Sequence, residues 1–191
     1  MSAKAPDQHC ASEAKEIELL HELVPKAAVI GFLANPRDPN YESDTKGAQA
    51  AADVLGHKLV VVKASTESEI DPAFAALAKQ KIAALFVNAD PLFNVNSPRI
   101  LALAARHAML TVSSWEGFAA DGGLISYGTS INEANRQLGV YTGRVLKGTR
   151  PGDLPVVQSI KFQLVINLKT AKALGLTIPP SLLLRADEVI E

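Results

Sequence analysis

Apolar residues along the chain fall into short runs that alternate with segments of helical periodicity. The run Ala27 to Leu33 is followed by the turn-rich Asn35 to Asn40, which reads as a strand and then a loop. From about Ser43 to Leu55 the pattern is helical and stops at Gly56, a residue suited to ending a helix. The cycle then returns. Lys58 to Ala64 predicts a strand, Glu67 to Gln80 a helix and Ile82 to Asn88 a strand. Ser97 to His107, opened by a Ser-Pro pair, predicts a helix, and Met109 to Ser113 a fourth strand. A helical segment ending near Val24 precedes this series. A fifth short strand, Leu124 to Tyr127, leads into a helix from about Asn132 to Lys147, closed by Gly148 and the turn-rich Thr149 to Pro155. There the rhythm breaks: Val156 to Ser159 and Phe162 to Ile166 read as extended. Asn167 is placed to cap a short helix, Leu168 to Leu174, which Gly175 ends.

Strands that are apolar on both faces and separated by single helices need a sheet covered on both sides. Parallel neighbours also need a crossover, which is usually a helix. The expected fold is therefore α/β, with a doubly wound parallel sheet. No tandem repeat beyond the βα cycle is visible, and no low-complexity linker divides the chain.

Of the 191 residues, 48% are hydrophobic, enough to bury a core. Nineteen basic residues against twenty acidic ones give a formal net charge of -1, and no basic block could track a phosphate backbone. Nucleic acid is not an expected partner. The apolar runs are shorter than about 10 residues, against roughly 20 for a bilayer span. Met1 to Cys10 is polar and lacks the apolar middle of a secretory signal, so the chain as written is expected in the cytoplasm. Cys10 is the only cysteine, which excludes an internal disulfide.

In open parallel sheets, ligands bind outside the carboxyl ends of the strands. The residues there are Asn35, Asn40, Tyr41 and Ser43 after the first strand, and Asn88, Asp90 and Phe93 after the third. Ser114, Trp115 and Glu116 follow the fourth, and Tyr127 and Thr129 the fifth. They combine acceptors for an ammonium, donors for a carboxylate and aromatic faces for an apolar side chain, a mixture suited to a zwitterionic small molecule. Each also has a plain structural use. Asn35 and Asn40 can shape a turn, Ser43 can cap its helix, Asp90 can precede a proline turn, and Trp115 can be a core ring. The shared location favours a site.

No phosphate-binding loop is present, and Gly122-Gly123 is too short for a dinucleotide fingerprint. No Gly-x-Ser-x-Gly elbow occurs, and the four histidines lack ligand spacing. Asp90 and Glu116 could form an acid/base pair, but two carboxylates at one cleft equally suit an amine. The expectation is a non-enzyme without cofactor or metal.

Several stretches closely resemble one family. They include Glu18-Leu-Leu-His-Glu-Leu-Val-Pro25, Ala89-Asp-Pro-Leu-Phe93, Leu101-Ala-Leu-Ala-Ala-Arg-His107 and Gly122-Gly-Leu-Ile-Ser-Tyr-Gly128. Gly139-Val-Tyr-Thr-Gly143, Asp153-Leu-Pro-Val-Val-Gln158 and Leu164-Val-Ile-Asn-Leu-Lys-Thr-Ala-Lys-Ala-Leu-Gly175 complete the set. Together they resemble the ABC-type substrate-binding proteins that include tryptophan- and tyrosine-binding transport proteins. The resemblance implies a periplasmic-binding-protein fold of the first type, two lobes that clamp an amino acid or similar small organic solute. It also implies a membrane permease of an ABC importer as partner and a periplasmic location.

Relative to that family the chain looks N-terminally truncated, one lobe with a partial second lobe. Residues 1–26 are then a leader and first helix, 27–127 the second lobe, 128–161 a return segment belonging to the first lobe, and 162–191 a final crossing strand, helix and tail. The cleft-facing positions carried over are Asn35, Asn40, Ser43, Asp90, Glu116 and Tyr127. Many relatives place Tyr-Glu-Trp where this chain has Ser114-Trp115-Glu116. A lobe without its mate also leaves a surface open to self-association, so a dimerising interaction module stands beside a cytoplasmic sensor or enzyme as an alternative.

Overall fold

A computed structural model of the protein describes residues 8–25, 28–155 and 162–191. Helix α1 (Gln8–Leu23) leads to β1 (Val29–Ala34), α2 (Tyr41–Val54), β2 (Lys58–Lys63), α3 (Glu67–Lys79) and β3 (Ala84–Val87). Next come a short α4 (Pro91–Val95), α5 (Ser97–Arg106), β4 (Leu110–Ser113), β5 (Ile125–Thr129) and α6 (Ile131–Leu146). The chain ends with β6 (Phe162–Asn167), α7 (Leu168–Ala173), α8 (Pro180–Leu183) and β7 (Glu188–Ile190). The strand expected at Val156 to Ser159 lies outside the described residues.

The strands form one sheet in the order β2-β1-β3-β4-β5-β6-β7. The first five are mutually parallel, as the βα rhythm predicts. β6 runs antiparallel to β5, with Thr129 opposite Phe162 and Ile125 opposite Ile166, and β7 is parallel to β6. The chain thus starts at β1, steps outward to β2 and returns across β1 to β3, which makes the β1/β3 boundary the topological switch point.

Period-two alternation divides the core between the two faces of the sheet. Ile30, Phe32 and Ala34 of β1 and Ala84 and Phe86 of β3 face α1, α2, α7 and α8, where Ile17, Leu20, Ala48, Ala52, Ala171 and Leu182 meet them. Phe32 and Phe86, paired in register, stack with centroids 4.8 Å apart. On the other face Leu33, Leu85 and Val87 pack against Ile70, Phe74 and Leu77 of α3 and Ile100 and Ala104 of α5. Gly31 permits that approach, since a Cβ there would lie 2.9 Å from Leu77 Cδ2. Gly56, at φ +76°, ends α2 in the left-handed conformation that a side chain disfavours.

Three elements were not predicted: α4, α8 and β7. Helix α4 occupies what reads as loop, because Asp90 caps it with Oδ1 accepting the Leu92 amide at 2.8 Å and Pro91 takes the first helical position. Strand β7 is three residues long and largely exposed, too short and too wet to carry a pattern. Asn167 caps α7 as expected, accepting from Thr170 N at 3.0 Å, and its Nδ2 also donates to Ala119 O at 2.9 Å.

Helix α6 differs from every other long helix, in that none of its residues is buried. Ile131, Ala134, Leu138, Tyr141 and Val145 recur at the spacing of one helical face. Within that stripe Leu138 is 65% exposed and Ile131 50%.

Candidate functional site

The parallel strands all end at the same edge of the sheet, and a cavity of about 230 Å³ opens there across the switch point. Asp38 and Asn40 reach it from the loop after β1, Asp44 from the first turn of α2, and Asn88 and Ala89 from the end of β3. Ser114 follows β4, Gly128 and Thr129 end β5, and Phe162 begins the antiparallel β6 at the same edge. Glu13 of α1 completes the wall.

Position and hydrogen bonding explain how these side chains are held. Asn88 and Asp44 are both buried, and Asn88 Nδ2 donates to Asp44 Oδ2 at 3.0 Å, which ties the two sides of the switch point together. Asn88 Oδ1 accepts the Ala89 amide at 3.0 Å. Asp38 Oδ1 accepts the Asn40 amide at 2.8 Å in an Asx turn that shapes the loop. Gly128 is required by contact with its neighbour, since an added Cβ would lie 1.9 Å from the Ser114 carbonyl oxygen.

Glu13 is only 4% exposed and its Oε2 has no hydrogen-bond partner. Burial pushes its carboxyl up from 4.5 to about 7; a hydrogen bond from its own backbone opposes this, and the Asp44 charge adds to it. Among the described residues, the lining holds three carboxyl groups and no lysine or arginine. Among the described residues, no three histidine, cysteine, aspartate or glutamate side chains are placed to hold a metal ion.

Of the six residues singled out from the sequence, Asn40 lines the cavity. Asp90 lies beside it, with Oδ1 occupied by the α4 cap and Oδ2 accepting from Asn35 Nδ2 at 3.0 Å. Ser43 Oγ donates to the Asn40 carbonyl at 2.8 Å within the first turn of α2. Glu116 turns to α6, its Oε2 accepting the Ile131 amide at 2.6 Å and its Oε1 the Ser130 hydroxyl at 3.3 Å. Tyr127 stacks on Phe162 with centroids 5.3 Å apart, and burial pushes its phenol upward. The Trp115 ring packs on the second core and covers Gly117.

Glu13 and Asp44 escape a strand-end search because they sit on helices, where a carboxylate ordinarily reads as a solvated face. The signal available for Glu13 is its spacing. With Glu16, Ile17 and Leu20 it lies on the buried stripe of α1.

Among characterised proteins, the tyrosine-binding protein of Clostridioides difficile (strain R20291) is 29% identical over 162 residues, covering 85% of this chain and 47% of that protein. The crystal structure of an ABC domain from Streptococcus pneumoniae in complex with L-Trp superposes with a TM-score of 0.83 at 26% identity. It covers 94% of this chain and 60% of that one. A conserved domain protein from Vibrio cholerae matches with a TM-score of 0.82 at 25% identity, covering 93% and 60% respectively. The chain therefore spans about half the length of the curated relative and about three-fifths of the solved ones. Residues 8–190 match the family of ABC transporter substrate binding proteins, whose members bind small solutes and work with membrane permeases, and the chain belongs to that family.

Proposed function

We propose that this chain provides a solute-receiving face of an ABC importer's binding protein, taking an amino acid or a similar small organic solute without chemical change. The observation that supports it most is the polar cavity at the β1/β3 switch point of a chain belonging to a substrate-binding family. Two relatives point to the solute class: one is a tyrosine-binding protein and the other was crystallised with L-Trp. The cavity is smaller than the roughly 300 Å³ at which drug-sized ligand pockets begin, as befits one wall of a clamp rather than the whole of it.

Within this reading Asn40 meets the solute. Asn35, Ser43, Asp90, Glu116 and Tyr127 position the loops and helix that frame it. Residues 27–127 form the second lobe with 162–191 added to its sheet, and the bare stripe of α6 supports assigning 128–161 to the opposite lobe. A permease is the partner, and the periplasmic side of the membrane the place of work.

The test is a nitrogen-15 chemical-shift titration of the full chain with L-tyrosine and L-tryptophan up to solubility. The amides of 38–44, 88–89, 114 and 128–129 should move together and saturably. Movement confined to other surfaces, or none at all, rejects the reading.

The α6 stripe favours a second reading, in which two copies associate through it. Sedimentation equilibrium at rising concentration should then show a dimer that Leu138→Glu abolishes. A monomer throughout rejects it.

A further inference from the structure

We infer that Glu13 and Asp44 form an ammonium subsite in which a bound primary amine displaces a proton from Glu13, so that capture of the solute is coupled to proton release. The inference rests on the solute-receiving reading and specifies which chemical group this wall recognises.

Four observations converge on it. Glu13 is nine-tenths buried and more, lines the cavity, and carries a buried oxygen, Oε2, that has no hydrogen-bond partner among the described residues. A buried carboxyl with an unfilled acceptor is costly unless a donor arrives. Asp44 stands against it across the cavity wall, close enough for its charge to act on Glu13, and has Asn88 on Oδ2. The charged groups of the lining are all acidic among the described residues, with Asp38 as the third carboxyl. Finally, among the described residues these carboxyl groups are not clustered as metal ligands, and a hydrogen-bonding cation is complementary to them.

The groups that share the cavity wall with Glu13 come from several elements, and Asp44 is the one whose charge acts on it. Asp44 belongs to α2, Asp38 to the loop after β1, and Asn88, uncharged, to the end of β3. On α1 itself, Glu16 lies one turn further along and acts on the Tyr127 phenol, while Lys15 pairs with Glu18 at 2.6 Å. Among the described residues, no lysine or arginine lines the cavity.

Protonated Glu13 presents one carboxylic O–H to a ligand ammonium, which cannot accept it. When the ammonium enters, that proton passes to solvent and the carboxylate accepts an N–H in its place. Charge balances, because one positive ligand enters as one proton leaves. Glu13 titrates near pH 7, so amine affinity rises with pH up to that point and levels off above it.

Three probes with one aromatic ring separate the groups: phenethylamine carries only the ammonium, 3-phenylpropionate only the carboxylate, and L-phenylalanine both. Dissociation constants from shift titrations of the full chain at pH 6 and pH 8 should show phenethylamine binding about tenfold more tightly at pH 8. 3-Phenylpropionate should show no such gain. Glu13→Gln should remove the pH dependence and weaken phenethylamine at pH 8 by about tenfold, and carbon-13 titration of the wild-type Glu13 carboxyl gives the midpoint without any variant. Equal phenethylamine affinity at the two pH values, the same pH profile in Glu13→Gln, or calcium chloride taking the amine's place would overturn the inference alone. Failure of all three probes to bind would remove the solute-receiving reading together with it.

Discussion

Asn88 Nδ2 lies 3.0 Å from Asp44 Oδ2, a bond that joins the residue after β3 to the first turn of α2, the helix that follows β1. Ser43 Oγ donates to the other oxygen, Oδ1, at 3.4 Å. Asn88→Ala should therefore leave a buried carboxylate short of donors and cost about 1 to 3 kcal/mol. A lower urea midpoint at unchanged slope is the expected result.

Glu13 carries a pH signature in stability as well as in binding. Its carboxyl titrates at about 7 in the fold against 4.5 ordinarily, so the unfolded chain releases that proton at lower pH and folding loses ground as pH rises between the two values. Glu13→Gln should be near neutral at pH 4 and stabilising at pH 8, by at most about 3 kcal/mol, read as the difference in melting temperature between the two variants at each pH.

Glu116 and Ser130 act together on α6. Ser130 Oγ accepts the Glu133 amide at 3.4 Å while Glu116 takes the Ile131 amide. Glu116→Ala should release about 1 kcal/mol of capping from a helix with no buried residue to steady it. Faster hydrogen exchange at Ile131 and Glu133, with the β1 and β3 amides unchanged, is the measurement.

Gly128→Ala places a methyl group against the Ser114 backbone, which has no rotamer to yield. A loss of about 1 to 3 kcal/mol or more is expected, together with shifted amides at 114 and 128–129. Gly139→Ala, where nothing lies within 4 Å, serves as the control and should be neutral or slightly stabilising.

The parallel strands were legible because burial on both faces writes Ala84-Leu-Phe-Val87 as an unbroken apolar run, and Gly56 announces the end of α2. The direction of β6 was not, since Phe162–Asn167 alternates identically whichever way it pairs. Asn40 followed from the strand-end rule. Asp90 and Glu116 followed from it too, but a carboxylate near an unfilled helix terminus is drawn to the backbone amides there, and both spend oxygens on α4 and α6. Glu13 required knowing which face of α1 is covered, which α2 and the sheet decide through tertiary packing.

The antiparallel pairing of β5 with β6 has a topological consequence. Thr129 and Phe162 are direct partners, so everything between them leaves and re-enters the sheet at adjacent points. The two partners stand where a hairpin turn would join them, and a chain in which Asn-Gly replaces residues 130–161 should still close the sheet. On this topology the excursion is a module, and the strands on either side should keep their register whatever joins them.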